Sequence, residues 1–391
     1  MMMSRTQATF SPPIMGASRW LDGLTFPPER PLINVCQAAP LAPPPEALRE
    51  VMADAVMADV SAHFYGADLG RPALRAALAA KWRRAYGGAV REAQVAITSG
   101  CNQAFAAAIM ALTGQGDEVI LPTPWYFNHK MWLDMCDVRA RAVPTGEDLL
   151  PDPEAVRALI TPRTRALAIV SPNNPAGVEY PATLLSALFE ICREARIKLI
   201  LDETYRDFHS APGAPHNLFL DPDWDDTLIQ LYSFSKAYRL TGHRVGALTA
   251  SPGFLSEVEK FIDTVTICPS QIGQIAALWG LENLDQWLAG EREEILDRRA
   301  AITDGLTQIA DRGWSLLGLG AYFAYMRHPF ERPADEVAPW LVREHGVLLL
   351  PATMFRPDGD PRGARELRIA FANLDRAGIG RLYDRLAEIP T

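Results

Sequence analysis

The sequence predicts an α/β protein in which a mainly parallel sheet is sandwiched between helices and is followed by a smaller α+β unit. Three observations support this prediction. Short apolar runs alternate with helical stretches between residues 46 and 290, and most of these runs are apolar at every position. After about Gly290 this alternation gives way to a charged helical stretch. Strands that are apolar on both faces have to lie between two helix layers. A length of 391 residues is enough for two domains.

The elements follow in three blocks. Residues 1–45 are dense in proline, which disfavours helices and central strands, so we expect an extended arm. Residues 46–290 are expected to form the large domain, with the clearest helices at 102–112 and 182–196. Residues 291–391 are expected to form a small domain, with a charged helix at 291–309 and strands near 322–326 and 365–372. The strands predicted for the large domain are 94–98, 118–121, 166–170, 198–201, 228–232 and 245–250.

Composition excludes several classes of partner. The net charge is −9 and no basic tract is present, which disfavours binding to nucleic acid or to an anionic membrane surface. No apolar run is long enough to span a bilayer, and the first residues do not resemble a secretory signal. The five cysteines have no zinc or redox spacing, so we expect no metal site and a cytoplasmic location.

In an open parallel sheet, ligands bind beyond the carboxyl ends of the strands, and several polar groups stand at such positions. Lys236 lies just after a predicted strand and becomes a nucleophile if burial lowers its pKa, although a solvated surface lysine is the commoner case. Ser233, Ser235 and Arg244 offer hydroxyls and a guanidinium for a phosphate. The run Ser99-Gly100-Cys101-Asn102 joins a strand to a helix, so its backbone N–H groups could bind an anion or simply form a tight turn.

Other candidates surround a planar ring. Asp202 ends a buried strand and needs a cationic partner, such as a protonated ring nitrogen, unless it caps a helix. Tyr205 and Asn174 could both donate to one ring oxygen, although Asn-Pro is also ordinary turn chemistry. Tyr126 or Trp125 could stack on the ring or pack in the core.

Three motifs in this order resemble the class I/II aminotransferases of the fold-type-I pyridoxal-phosphate superfamily, which includes aspartate aminotransferase. They are Ser171-Pro172-Asn173-Asn174-Pro175-Ala176-Gly177, Leu201-Asp202-Glu203-Thr204-Tyr205, and Ser233-Phe234-Ser235-Lys236 with Gly242-His243-Arg244-Val245-Gly246. The resemblance runs from about Asn34 to Ala372. It implies a sheet of the seven-stranded type and a small domain built from both chain ends.

The resemblance also implies roles for the residues. Lys236 would hold pyridoxal 5′-phosphate as a Schiff base and carry protons in a ping-pong transamination between an L-amino acid and a 2-oxo acid. Asp202 would pair with the pyridine nitrogen, and Arg368 would bind the substrate carboxylate. The remaining cofactor contacts would be Gly100, Cys101, Asn102, Tyr126, Asn174, Tyr205, Ser233, Ser235 and Arg244. Tyr65 would reach the phosphate of a neighbouring subunit, which implies a homodimer with shared sites.

The chain departs from the family pattern at two alanines that replace glycine. Ala38 lies in the segment expected near the substrate carboxylate, so we count it with Asn174 and Trp125 among the substrate contacts. Ala352 follows Pro351, and its backbone must avoid a positive φ or carry strain.

Two other functions remain open on sequence alone. The same residues would support β-elimination at a carbon–sulfur bond, because the fold does not decide the reaction. A non-catalytic regulator that binds the cofactor is disfavoured, because no helix-turn-helix precedes residue 46. The chain lacks the dinucleotide, nucleotide-triphosphate, hydrolase and metalloprotease motifs. The substrate is undecided: Trp20, Trp125, Phe10 and Ile14 could build an apolar pocket, and no second cation for an acidic side chain can be placed.

Overall fold

Helices and strands alternate along residues 4–390, the part of the chain that this computed structural model describes. No helix within that part is long and apolar enough to cross a membrane. The strands are β1 (Ile33–Asn34), β2 (Val95–Thr98), β3 (Glu118–Thr123), β4 (Arg139–Pro144), β5 (Thr164–Val170), β6 (Lys198–Asp202), β7 (Leu228–Ser233), β8 (Gly246–Thr249), β9 (Ser315–Gly320), β10 (Phe323–Arg327), β11 (Val347–Leu348), β12 (Leu350–Pro351) and β13 (Glu366–Ala370). The helices are α1 (Pro13–Ser18), α2 (Glu46–Ala58), α3 (Pro72–Tyr86), α4 (Cys101–Leu112), α5 (Phe127–Met135), α6 (Pro153–Leu159), α7 (Ala182–Ala195), α8 (Phe234–Ala237), α9 (Pro252–Thr266), α10 (Gln271–Asn283), α11 (Asp285–Gly305), α12 (Ala334–His345) and α13 (Arg376–Ala387).

The central sheet has seven strands in the order β2-β8-β7-β6-β5-β3-β4. All neighbouring pairs are parallel except those made by β8, which runs antiparallel to both β2 and β7. The predicted fold class, a mainly parallel sheet of the seven-stranded type, is therefore confirmed. The parallel strands end at one edge, and this edge carries the polar residues singled out in the sequence.

Two hydrophobic cores flank the sheet because successive strand residues point to opposite faces. In β6, Leu199 and Leu201 belong to the core that includes Trp82 of α3, whereas Ile200 belongs to the core that includes Phe105 of α4. Each of these side chains is buried. Burial on both faces explains why these strands are uninterrupted apolar runs in the sequence.

A second sheet, of order β12-β13-β10-β9, is antiparallel at each of its pairings. Next to it, β1 from the N-terminal region pairs in parallel with β11 from the C-terminal region. Segments more than three hundred residues apart in the chain therefore meet here, as expected for a unit built from both chain ends.

The structure differs from the sequence prediction in several elements, among them α1, β4 and α11. The arm is not wholly extended, because α1 begins at Pro13, and proline is tolerated in the first turn of a helix. Strand β4 was not predicted, because it is an edge strand whose arginines break the apolar pattern. Helix α11 begins at Asp285 and crosses the expected boundary at residue 290, since an isolated glycine does not end a helix.

Candidate active site

A cavity of about 340 Å³ lies at the carboxyl edge of the large sheet, within the size range of small-molecule sites. Most of the residues predicted from sequence line it. They are Ala38, Cys101, Asn102, Tyr126, Asn174, Asp202, Tyr205, Ser233, Ser235, Lys236, Arg244 and Arg368. They come from strand ends, from the start of α4 and from both chain ends, so only the tertiary fold brings them together.

Lys236 lies in the short helix α8, directly after β7. Its Nζ donates a hydrogen bond to the carbonyl oxygen of Ala38, at 2.7 Å. Burial, followed by the positive charges of Arg244 and Arg368, lowers the pKa of Lys236 to about 8. A sizeable fraction of this amine is therefore neutral near physiological pH, as a nucleophilic lysine requires.

An anion-binding cradle is formed by the N-terminus of α4 and the segment after β7. Gly100 precedes α4 with φ +87°, and a Cβ there would lie 2.2 Å from a guanidinium nitrogen of Arg244. The hydroxyl-bearing side chains of Ser233 and Ser235 are buried beside the same cavity. Free N–H groups at a helix start, two hydroxyls and a guanidinium together suit a phosphate.

Asp202 is buried at the end of β6 and is held by several groups. One carboxylate oxygen accepts from the backbone N–H of Thr204 at 2.9 Å and lies 3.5 Å from Sγ of Cys101. The other oxygen lies 3.3 Å from Nε2 of His129, whose ring stacks on Phe105 at 3.8 Å between centroids. The alternative of a helix cap does not hold, because the next helical turn begins only at Arg206.

Arg368 lies on β13 and is buried between the rings of Phe323 and Phe355, about 5 Å from each. Its Nη1 donates to Oδ1 of Asn174 at 3.0 Å, and its Nη2 donates to the carbonyl oxygen of Cys36. Its Nε has no hydrogen-bond partner among the described residues. Burial lowers the pKa of Arg368, which indicates a cation that favours an anionic ligand.

Two tyrosines on the cavity wall are held in their neutral forms. Burial, followed by the negative charge of Asp202, raises the pKa of Tyr126 well above its ordinary value. Burial also raises the pKa of Tyr205. The hydroxyl of Tyr126 lies 3.3 Å from Oδ1 of Asn102. Both phenols can therefore donate hydrogen bonds throughout the physiological pH range.

Three predicted site residues do not line the cavity. Gly100 lies beneath the Arg244 side chain, and Tyr65 is 78% exposed at the surface. Trp125 points away: its indole is buried and lies 5.8 Å from Nζ of Lys130, while the next residue, Tyr126, faces the cavity. Ala352 begins a short 3-10 turn and does not appear among the positive-φ residues, so its backbone avoids the conformation that would strain alanine.

Several lining residues were not singled out from the sequence. Ile14 was considered there only as a possible pocket residue, and it lines the cavity with Pro12, Pro13, Gln37, Phe127 and Asn128. His129 was also missed, because a single histidine in a helix has no distinguishing sequence pattern. Its proximity to Asp202 depends on the packing of α5 against the end of β6.

The groups in the cavity fit pyridoxal phosphate. A cradle that has no room for a Cβ at Gly100 suits a phosphate, and the buried carboxylate of Asp202 suits a protonated pyridine nitrogen. An amine of lowered pKa suits bonding to an aldehyde. Neutral phenol and amide donors suit the ring oxygen.

Comparisons with known proteins agree with this chemistry. The sequence model of the family described as "Aminotransferase class I and II" matches residues 30–386. An aromatic aminotransferase of Arabidopsis thaliana is 30% identical over 360 residues, which cover 89% of this chain and 87% of that protein. A probable aspartate/prephenate aminotransferase of Thermus aquaticus is 32% identical over 309 residues, 76% of this chain and 78% of the relative.

Solved structures show the same fold over nearly the whole chain. A single mutant of the aspartate aminotransferase of Thermus thermophilus superposes with a TM-score of 0.88 at 26% identity, and covers 99% of each chain. The N-succinyldiaminopimelate aminotransferase of Mycobacterium tuberculosis gives the same TM-score, identity and coverage. The chain therefore belongs to aminotransferase class I and II and is an aminotransferase that uses pyridoxal phosphate.

Proposed function

We propose that the chain transfers an amino group from an L-amino acid to a 2-oxo acid in two half-reactions, with Lys236 carrying the cofactor as a Schiff base. The observation that carries this proposal is the meeting of three groups in one cavity. They are the amine of Lys236, whose pKa is about 8, the buried carboxylate of Asp202 and the buried guanidinium of Arg368.

The cofactor contacts in this proposal divide into three sets. The cradle of Gly100, Cys101, Asn102, Ser233, Ser235 and Arg244 holds the phosphate. Asp202 keeps the ring nitrogen protonated, and His129 orients that carboxylate from 3.3 Å. Asn174 and Tyr205 donate to the ring oxygen, and Tyr126 packs on the ring. When bound, pyridoxal phosphate supplies a sink for the electron pair left at the substrate Cα.

The remaining residues position the substrate and move its proton. Arg368 binds the α-carboxylate through two parallel hydrogen bonds, and this orients the Cα–H bond. Its hydrogen bonds to Asn174 and Cys36 hold the guanidinium in place before substrate arrives. The amine of Lys236 would be the base that takes the Cα proton, and its hydrogen bond to the carbonyl oxygen of Ala38 holds it in the cavity.

We also propose a domain division, a homodimeric state and a cytoplasmic location for the protein. The expected division assigns residues 1–45 to an arm and part of a small domain, 46–290 to the large domain and 291–391 to the rest of the small domain. The pairing of β1 with β11 supports a small domain made from both ends. A homodimer in which Tyr65 reaches the neighbouring site is supported by the exposure of Tyr65. A cytoplasmic location is supported by five unpaired cysteines.

The visible absorption spectrum of the purified protein tests the proposal. We expect an absorption band from the bound cofactor that one amino acid removes and a 2-oxo acid restores. Lys236→Ala should abolish turnover but retain cofactor noncovalently, whereas Lys260→Ala should behave like the parent protein. Lys260 is the matched control because it lies exposed on α9 beside Glu257.

Two results would contradict transamination through Lys236. Full activity of Lys236→Ala would remove this lysine from the mechanism. Release of pyruvate and ammonia from a cysteine conjugate, with the band unchanged and no need for an oxo acid, would assign β-elimination instead.

A further inference from the structure

Part of the cavity wall consists of residues that the proposed function assigns neither to the cofactor nor to the substrate carboxylate. It consists of Pro12, Pro13, Ile14, Gln37, Phe127 and Asn128. All six side chains are uncharged. Three come from the N-terminal segment around α1 and two from the start of α5, so segments that lie far apart in the chain build this side of the cavity.

The positively charged side chains of the cavity are already assigned to other binding partners. Among the described lining residues they are Lys236, Arg244 and Arg368, which the proposed function assigns to the cofactor and to the α-carboxylate. The only carboxylate among those lining residues, Asp202, adds a negative charge to the same space. An acidic substrate side chain would therefore meet no free positive charge in the described wall.

Three basic side chains on the neighbouring segments are directed elsewhere. On α5, Lys130 binds Asp134 at 2.5 Å, and His129 faces Asp202. On the N-terminal segment, Arg5 donates to the carbonyl oxygen of Met135. None of these three side chains lines the cavity.

We infer, on the basis of the transamination proposed above, that both substrates carry uncharged side chains. The amino donor is an aliphatic, aromatic or thioether amino acid, and the acceptor is a 2-oxo acid with an uncharged side chain, such as pyruvate. Both half-reactions use the same cavity, so the same exclusion applies to donor and acceptor. A carboxylate placed against this wall would lose its hydration without gaining a partner, and such burial is strongly unfavourable.

Half-reactions of the holoenzyme with shape-matched amino acids test this inference. Leucine is compared with aspartate, and methionine with glutamate, because each pair differs mainly in charge. We expect kcat/KM for the uncharged member to be higher by about 100-fold or more. Pyruvate should restore the cofactor band more efficiently than 2-oxoglutarate by a similar factor. The holoenzyme includes any residue that a second subunit contributes.

A charge introduced into the wall should change this preference. Ile14→Arg places a cation at the cavity, and we expect it to raise kcat/KM for aspartate about fivefold or more while lowering that for leucine. Met15→Arg is the matched control, because Met15 is the next residue of α1 and is 61% exposed outside the cavity wall. Ile14→Gln separates the effect of charge from the loss of apolar surface.

The outcomes distinguish this inference from the proposed function. If no amino acid removes the cofactor band, transamination itself fails. If aspartate and glutamate react as efficiently as leucine and methionine, transamination stands and the inference is overturned. Equal effects of Ile14→Arg and Met15→Arg would overturn the assignment of Ile14 to the substrate side chain.

Discussion

Two arginines and a lysine share the cavity, and the positive charges of the arginines help to lower the pKa of the lysine. Burial acts first on Lys236, and the cations Arg244 and Arg368 lower its pKa further. A lysine in water would remain protonated until far higher pH. The same arginines that suit a phosphate and a carboxylate therefore also prepare the amine for bonding to the cofactor.

The pH dependence of cofactor capture by Lys236 follows from this pKa. The neutral amine is the reactive form, so the rate should increase as the pH rises through about 8 and should level off above it. Below that value it should fall about tenfold per pH unit. Stopped-flow absorbance of the cofactor-free protein measures this profile. A rate that keeps rising to the pH at which an ordinary lysine titrates would contradict the prediction.

Gly100 has a backbone conformation that residues with a side chain rarely adopt. Gly100→Ala should weaken cofactor binding by about 10- to 100-fold, because φ is +87° and the new Cβ would displace the Arg244 guanidinium. Gly253→Ala is the control: it lies at the start of α9, and its Cβ would meet nothing within 4 Å. Cofactor titration followed by absorbance checks both variants. Equal affinities would mean that the cradle does not hold the phosphate.

At the scale of elements, a buried ion cluster connects α3, the turn after β6, and β7. A carboxylate oxygen of Asp207 lies 3.2 Å from Nζ of Lys81 and 3.0 Å from Arg206, and the other accepts from the hydroxyl of Tyr232 at 2.6 Å. Burial by itself raises the pKa of Asp207, but Lys81 and Arg206 outweigh it and hold that pKa below its ordinary value. The cluster fixes the segment that carries Asp202 and Tyr205 relative to the strand that leads to Lys236.

Loss of the buried carboxylate should destabilise the fold strongly. Asp207→Asn removes the ion-pair partner of buried Lys81 and leaves Glu203 as the remaining carboxylate near Arg206, so we expect the free energy of unfolding to fall by about 3–5 kcal/mol. Glu257→Gln breaks an exposed pair with Lys260 and should cost less than about 1 kcal/mol. Denaturant titration followed by circular dichroism compares the two. Similar small losses would show that the cluster is not needed for stability.

The N-terminal segment shows how an element can take on a role that its sequence does not suggest. Its prolines predict an extended arm, yet Pro13 starts α1, and Ala17 of this helix belongs to the same hydrophobic cluster as Val342 and Phe355. The short turn before it donates through Arg5 to the end of α5. The segment therefore supplies part of the cavity wall through Pro12, Pro13 and Ile14.

At the scale of the whole molecule, an exposed apolar strip lies around Tyr65. Met57, Val60, Phe64 and Tyr65 are each at least 66% exposed, which is unusual for large apolar side chains so close together. A second copy of the chain would cover this strip and would bring Tyr65 to a neighbouring phosphate. The mass in solution should therefore be twice the 43.1 kDa of one chain.

Shared active sites can be tested by mixing two inactive or impaired variants. Tyr65→Ala should weaken cofactor binding, and Lys236→Ala should be inactive. A hybrid dimer of the two would contain one site with both residues intact, so mixing should restore activity at low cofactor concentration. Tyr65→Phe identifies the contribution of the hydroxyl. Mixtures no more active than Tyr65→Ala alone would rule out sharing.

Much of the large sheet and many of the residues that line the cavity could be predicted from the sequence, for a local reason. Buried parallel strands are continuous apolar runs, and the residues that follow them, such as Asp202 and Ser233, lie at one edge of the sheet. Strand β4 was not predicted because it lies at the edge of the sheet and its arginines interrupt the apolar pattern.

Contacts between segments that lie far apart in the chain could not be predicted from local patterns. His129 of α5 lies 3.3 Å from Asp202 at the end of β6, Ala38 accepts from Lys236 across 198 positions, and Ile14 lines the cavity. No local pattern marks these residues, because their roles depend on how the chain ends and α5 pack around the sheet edge. Local residue patterns were enough to predict the fold class and the cofactor, whereas the packing of distant segments sets the shape of the cavity and brings the uncharged part of its wall together.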